Sequence, residues 1–406
     1  MKKSAFKERV FAPVGKQELP TCLRASACAC SHADRYTHRQ TGQVGLARKK
    51  VFVGLSGGVD SAVSAALLKE AGYDVTGVFI KVWQPPFLAC TSREDREDAM
   101  RVAAHLDNPF TTHDLSKEYK KEVVDYMLAE YKKGNTPNPD AMCNKEIKFG
   151  AFLSWALRRG ADYVATGHYA IKQQITNNKQ QITHYELHTS RDKEKDQSYF
   201  LWTLTQRQLR HILFPVGNYE KKREVRALAR RFGLPTAEKK DSQGLCFVGK
   251  VDMKEFLSNL LGPKKGKLLD EKGSVIGTHD GALLYTLGER HGFAVAQKSP
   301  SDQPRYVIRK DIKRNTVTVS AAPKTRARAG ALVSAGQANF ISERPKKGDA
   351  CRARFRYRQT PVPCEVRAVA PRAISLRLKT PDYTVSRGQS LVLYAGDKCL
   401  GGGVIA

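Results

Sequence analysis

No apolar run in the 406 residues approaches the ~20 consecutive residues that a membrane-spanning helix needs. The N-terminal residues also lack the apolar core of a secretory signal. A soluble chain is expected. Cysteine is sparse and odd in number, nine in all at 22, 28, 30, 90, 143, 246, 351, 364 and 399. That excludes a secreted disulfide scaffold and fits a reduced, cytoplasmic chain. No Cys-x-x-Cys pair with zinc spacing occurs, and Cys28-Ala-Cys30 is too close to act as one, so no metal held by the protein is expected. Internal repeats are absent. Acid is the scarce charge: 40 Asp and Glu face 69 Lys and Arg, a net charge of +29. The first 50 residues hold 11 Lys/Arg against 3 Asp/Glu, which leaves +21 on the rest, so a basic tail does not explain the excess. A folded, strongly basic chain predicts a polyanionic partner, nucleic acid foremost, with a plain solubility charge as the alternative.

Residues 1–48 mix Lys, Arg, Cys, His and Ser without hydrophobic periodicity and are expected to be a disordered basic extension. Their basic, acid-poor make-up is that of a transit peptide or of an over-extended start, although amphipathicity is poor. From Lys49 strands and helices alternate: strands at 51–54, 74–82 and 163–166, with helices at 61–71, 93–106, 117–132 and 148–159 between them. Alternation of this kind predicts an α/β domain with a parallel sheet covered on both faces, over residues 49–254. Residues 172–190 read as a polar hairpin around Asn177-Asn178, and 206–232 as helical with a basic end, Lys221 to Arg231. Short alternating stretches with glycine turns then suggest a small central domain at 255–322. Closely spaced strands, among them Ala350–Arg358 and Ser390–Tyr394, suggest an antiparallel β-barrel at 323–406.

The most telling segment is Gly54-Leu55-Ser56-Gly57-Gly58-Val59-Asp60-Ser61, directly after the apolar Val51-Phe52-Val53. A buried strand that turns through Ser-Gly-Gly-x-Asp-Ser into a helix makes a phosphate cradle. The glycines let backbone approach an anion, the serines add hydroxyls, and the first N–H groups of the helix face the charge. A glycine turn that merely starts a helix is the plainer alternative. The segment is not a Walker loop, which needs Gly-x-x-x-x-Gly-Lys-Ser/Thr. It resembles the loop of the ATP pyrophosphatase superfamily, the PP-loop enzymes, which split ATP between its α and β phosphates. Thr166-Gly167-His168-Tyr169 lies at the end of another strand, and in parallel sheets such ends share the ligand crevice.

Two cysteines stand out. Cys143 lies in Thr136-Pro137-Asn138-Pro139-Asp140-Ala141-Met142-Cys143-Asn144-Lys145, where Asn144 is placed to cap a following helix and Lys145 and Lys148 are close. Positive charge and a helix start both favour a thiolate, and Asp140 could handle protons. A buried structural cysteine fits the local sequence equally well. Cys246 sits in Asp241-Ser242-Gln243-Gly244-Leu245-Cys246, a glycine-flanked loop. Two separated loop thiols suit sulfur transfer, in which one carries a persulfide and the other resolves it. The remaining cysteines read as structural or without a role.

From residue 49 to 406 the chain closely resembles the bacterial tRNA-uridine 2-sulfurtransferase family (2-thiouridylases of the MnmA/TrmU type). The motifs that carry the resemblance are GLSGGVDS, TPNPDAMCNKEIKF, ATGHYA, KDQSYFLW, DSQGLCFVG, YTLGERHG, RFRYRQ and GDKCLGGGVI. The resemblance implies that Gly54 to Ser61, Ile80 and Gly167 bind ATP, with Ile80 standing where the family more often has Met. It implies that Asn138, Pro139 and Asp140 hold the target uridine, and that His168, Lys195, Asp196, Gln197, Arg356, Tyr357, Arg358 and Gln389 touch tRNA. Cys143 would be the nucleophile and Cys246 the persulfide carrier, and the two would end as a disulfide. ATP with Mg²⁺ would activate the uridine C2 oxygen, tRNA would be the substrate, and a cysteine desulfurase or relay protein would supply sulfur. An iron–sulfur cluster held by Cys143, Cys246 and a third ligand is the less favoured route. A PP-loop ligase using a nitrogen nucleophile, or an RNA-binding protein with a relic loop, are the competing classes; neither needs the two cysteines.

Overall fold

The computed structural model describes residues 48–87, 92–178, 181–240, 253–296, 303–322, 327–381 and 385–406. Strand β1 (Lys50–Gly54) alternates out and in, with Val51 and Val53 fully buried. It leads through the glycine loop into α1 (Val59–Glu70), whose small buried residues Ala62, Ala65 and Ala66 let the helix lie close to the sheet. Next come β2 (Asp74–Lys81), α2 (Ser92–His105), β3 (Phe110–Asp114), β4 (Tyr163–Ala165), the hairpin β5 (Ala170–Thr176) and β6 (Ile182–Thr189), and β7 (Ile212–Leu213). Strands β3-β2-β1-β4-β7 form one parallel sheet. Along β2 the residues divide by parity. Val75 and Phe79 pack with α1 and α2, while Val78 and Ile80 pack with Ile147, Phe149 and Phe152 on the other face. Both faces are therefore covered, and the expected α/β arrangement is what the chain adopts.

Beyond this sheet, β8 (Gly266–Leu269), β9 (Val275–His279), β10 (Phe293–Val295), β11 (Tyr306–Asp311) and β12 (Thr316–Ser320) form a second, five-stranded sheet in the order β10-β9-β8-β12-β11. The last strands are β13 (Leu332–Phe340), β14 (Ala350–Arg354), β15 (Val362–Ala370), β16 (Ala373–Leu378), β17 (Ser390–Ala395) and β18 (Lys398–Ile405). They run β13-β16-β15-β14-β17-β18 and close by pairing of β13 with β18, an antiparallel barrel. Cys351 and Cys364 face each other inside it across β14 and β15, their sulfurs 3.3 Å apart. Buried Cys399 has its thiol pushed up to about 12 by loss of hydration. No helix among the described residues is long and apolar enough to cross a membrane.

Four local expectations are corrected. The hairpin at 172–190 forms, but it does not stand alone: β6 pairs with β18, so it extends the barrel's sheet. The helix expected from residue 148 starts nine residues earlier. Asn138, not Asn144, is its cap, accepting from Ala141 N at 3.1 Å with Pro139 in the first turn. It continues from Pro139–Met142 through a π-helical stretch, Cys143–Phe152, into Leu153–Arg158. The helix expected over 206–232 is two pieces. Gln206–Leu209 ends at β7, Pro215 denies the chain an N–H, and helix resumes only over Lys221–Val225 and Arg226–Arg231. Finally, the strand expected to reach Arg358 stops at Arg354, and residues 355–358 turn, with Arg358 at φ 62°.

Candidate active site

The loop after β1 is built as a cradle. Gly57 has φ 73°, a conformation that disfavours side chains, and a Cβ there would come within 2.4 Å of the Asp95 carbonyl oxygen. Gly58 is the N-cap of α1, so the first-turn N–H groups, which a helix cannot pair internally, face the cavity. The Ser61 hydroxyl donates to Gly58 O at 3.0 Å and lies 3.2 Å from the Ser56 hydroxyl, fixing the loop's curvature. Gly167, after β4, presses on this turn from the side. A Cβ on it would lie 2.7 Å from both Asp60 C and Ser61 N. The two strand-end motifs thus touch through bare backbone, which is why neither tolerates a side chain.

Around the loop opens a cavity of about 650 Å³. Gly54, Leu55, Ser56, Gly58, Val59, Asp60, Ser61, Ile80 and Gly167 all line it, and Gly57 completes the turn behind them. The same cavity receives Asp140 and Asn144 from the helix that begins at Pro139, His168, Lys195 and Gln197, and the turn residues Tyr357 and Arg358. Tyr357 packs against Phe200 with centroids 4.6 Å apart and the rings tilted by 45°, and the Arg358 guanidinium lies 5.3 Å from the Tyr357 ring. An aromatic and a cation are therefore presented on one turn, from a residue in the left-handed region, a conformation non-glycine residues adopt mainly where surroundings enforce it.

Other expected residues sit behind the cavity wall. Asn138 donates from Nδ2 to Ser390 Oγ at 3.0 Å, and Gln389 donates to Pro137 O at 3.1 Å. Thr136 N donates to Arg387 O at 2.8 Å. The barrel entry at 387–390 thereby clamps the Asn138-Pro139-Asp140 turn, and Trp202 Nε1 shares the Ser390 hydroxyl at 3.0 Å. Arg356 donates to Leu287 O at 3.0 Å, tying the barrel turn to the central sheet's segment. Asp196 is buried on Arg354 at 2.5 Å. Cys143 is fully buried in the core shared with Ile147 and Phe149, while its neighbours Asp140 and Asn144 reach the cavity. It is the fifth helical residue rather than the first, and Lys145 is engaged by Glu146 at 2.6 Å. Cys246 lies outside the described residues, as do Cys22, Cys28, Cys30 and Cys90.

His168 is held on both sides. Its Nδ1 is 2.6 Å from Thr166 Oγ1, and its Nε2 is 3.4 Å from Lys148 Nζ, which as an ammonium donates. Burial, helped by the Lys148 charge, holds its pKa well below 6.5. It is neutral, with the proton on Nδ1. The unfolded chain takes up a proton near pH 6.5 that the fold refuses, so the share of stability set by His168 is constant above that pH and falls below it, by up to ~1.4 kcal/mol per pH unit. Urea unfolding at pH 7.5 and 5.0 should show a smaller loss for His168→Asn than for wild type; His113 and His279, also lowered by burial, keep their share in both.

Among the lining residues that carried no sequence expectation as pocket groups are Phe79, Val82, Gln84, Lys221 and Lys240. The basic run Lys221 to Arg231 suits tRNA backbone contact, with a solvated helix face as the plainer alternative, yet Lys221 itself is 2% exposed and bonded to Asp60. Only its spacing from Tyr169 in space, not in sequence, gives it away.

The parallel sheet, the Ser-Gly-Gly-x-Asp-Ser cradle and the closed barrel define a PP-loop nucleotide-binding protein with two appended β-domains. Family models match the chain in three stretches: a tRNA methyl transferase HUP domain at residues 49–250, a tRNA methyl transferase PRC-barrel domain at 254–321 and an aminomethyltransferase β-barrel domain at 331–405. The tRNA-specific 2-thiouridylase MnmA of Enterococcus faecalis is 44% identical over 362 residues, 88% of this chain and 95% of that one. That of Halalkalibacterium halodurans is 46% identical over 359 residues, 88% of this chain and 94% of its own. Among solved structures, the U34-tRNA thiolase NcsA of Methanococcus maripaludis aligns over 58% of this chain and 73% of its own at 17% identity, with a TM-score of 0.35, too low for residue correspondence. The chain belongs to the MnmA family of tRNA-specific 2-thiouridylases.

Proposed function

We propose that this chain is a tRNA-uridine 2-sulfurtransferase that uses ATP to convert a wobble uridine, in tRNAs of the Lys, Glu and Gln type, to 2-thiouridine. One observation carries the reading: a glycine phosphate cradle and the Asp140-bearing helix start open into the same cavity, beneath an aromatic and basic turn. The C2 oxygen of uridine is a poor leaving group, and transfer of AMP to it, with Mg²⁺ on the phosphates, makes it a good one. Gly57, Gly58 and the first N–H groups of α1 hold the phosphates, and Gly167 lets the loop pack directly against the end of β4. Tyr357 and Arg358 offer a stacking face and a cation to a base turned out of its strand, which an unpaired wobble nucleotide permits at low cost. Methyl transfer requires neither an activated oxygen nor pyrophosphate release, so the cradle sides with the thiouridylase relatives.

Sulfur would arrive as a persulfide on Cys246, loaded by a cysteine desulfurase or relay protein in the cytoplasm. Its terminal sulfur attacks C2 and AMP departs with the C–O electron pair. The Cys143 thiolate then attacks Cys246 Sγ, the S–S bond to the base breaks, and 2-thiouridine leaves a Cys143–Cys246 disulfide for external thiols to reduce. Alternatively Cys143 attacks the persulfide first and frees sulfide. Either order requires the helix start to expose Cys143, and Asp140 is the carboxylate beside it for proton transfer. The barrel clamp at 387–390 holds that start in its covered state.

In vitro thiolation of unmodified tRNA with Mg-ATP and a persulfide-generating desulfurase tests the reading, with nucleosides read by mass spectrometry. Wild type should form 2-thiouridine, and Cys143→Ser and Cys246→Ser should each lose at least about a thousandfold, the scale expected when a nucleophile is removed. Full activity of Cys246→Ser would overturn the persulfide assignment. Adenylation followed by incorporation of nitrogen instead of sulfur would identify a ligase.

A further inference from the structure

Lys221 is the most deeply buried cation on the wall of the nucleotide cavity, with only 3% of its side chain exposed. Its Nζ donates to Asp60 Oδ1, and the Tyr169 hydroxyl donates to the same oxygen at 2.7 Å. The Lys221 Nζ lies over the Tyr169 ring, 6.0 Å from its centroid, so the ammonium is held by a carboxylate and an aromatic face together. Lys221 N donates to Asp192 Oδ2 at 3.0 Å, which fixes the start of its helix. Asp60 belongs to the first turn of α1, where the cradle's N–H groups point.

A buried ion pair is weak evidence for stability, because desolvation opposes it and apolar replacement is often neutral. The position of this one indicates a ligand. In the sheet order β3-β2-β1-β4-β7, Ile80 lies on β2, the cradle follows β1, Gly167 and Tyr169 follow β4, and Lys221 follows β7. The cavity residues thus cross the crevice in one direction, from an apolar contact at Ile80 to a cation at Lys221. A mononucleotide with a long phosphate tail has that same polarity.

We propose that Lys221 binds the β,γ-diphosphate end of ATP, with Asp60 and Tyr169 as its resting partners. The assignment rests on the ATP-dependent reading above and adds a binding residue to it. When the uridine oxygen bonds to the α phosphorus, the α–β bond breaks and its electron pair leaves on pyrophosphate. The Lys221 ammonium stands where that charge gathers and then holds the leaving group.

The test measures binding of Mg-ATP, pyrophosphate and AMP to the full chain by titration calorimetry, beside thermal unfolding without nucleotide. Lys221→Met should weaken ATP and pyrophosphate about 10- to 100-fold, the scale of one charge-assisted phosphate contact, and leave AMP within about twofold. Lys221→Arg should recover part of the loss. Should Lys221→Met fail to fold, Lys221→Met/Asp60→Asn removes both charges and should give the same split between ATP and AMP. Unchanged ATP affinity, or an equal loss for AMP, overturns the proposal while ATP dependence stands. A wild-type chain that binds neither ATP nor pyrophosphate overturns both.

Discussion

Gly167→Ala should lower RNA-dependent pyrophosphate release at least about a hundredfold while leaving the chain folded. The added methyl would sit 2.7 Å from Asp60 C and Ser61 N and 2.8 Å from Asp60 Cβ. Real Cβ atoms do not approach backbone so closely, so one element must retreat. β4 is hydrogen-bonded to β1 on one side and β7 on the other, with Val164 and Ala165 fully buried, so it yields less readily than the entry to α1. The displaced element is the cradle itself, and a misplacement near 1 Å at a reacting centre costs on the order of 10²-fold. Circular dichroism should be unchanged and ATP affinity reduced. Wild-type pyrophosphate release would show instead that the cradle is not where the phosphates bind.

Asp196→Ala should be the most destabilising single change at a residue the family resemblance assigns to tRNA. Its carboxylate takes Arg354 at 2.5 Å, Ser190 N and Ser198 N at 3.2 Å, and the Ser198 hydroxyl at 3.1 Å. Arg354 is 9% exposed, and its guanidinium lies 4.9 Å from the Tyr394 ring. Truncation leaves a buried guanidinium and two backbone donors without their acceptor, a loss of about 3–5 kcal/mol. Melting should fall by on the order of 10 °C, whereas tRNA affinity measured well below the transition should stay within about twofold of wild type. A tenfold loss of tRNA affinity with unchanged melting would mean that Asp196 meets RNA directly.

Much of the site was legible because its chemistry depends on short, contiguous segments. The strand–glycine–helix order of residues 51–61 dictates a cradle whatever surrounds it, since φ preference and helix-end N–H groups are local properties. Alternating apolar runs through 49–166 led to a parallel sheet for the same reason. Expectations failed where a partner distant in sequence decides. Nothing near Lys221 announces that it folds onto Asp60, 161 residues away. Asn138 became the cap in place of Asn144 because Ser390, 252 residues on, holds it there. Arg356, Tyr357 and Arg358 share a turn rather than a strand, so Tyr357 and Arg358 enter the cavity while Arg356 braces Leu287.

Taken alone, the sequence determined that this chain carries a glycine-rich strand–turn–helix loop, a covered parallel sheet, a strand-rich C-terminal part and a basic excess, because each follows from residue type and near-neighbour spacing. Tertiary structure alone decided that the β5–β6 hairpin joins the barrel, that the barrel's entry clamps the Asn138-Pro139-Asp140 turn, that Asp196 is an internal anchor and that Cys143 lies covered behind Asp140. Those outcomes depend on which surfaces exclude water from one another, and that is a property of the whole packed chain rather than of any segment within it.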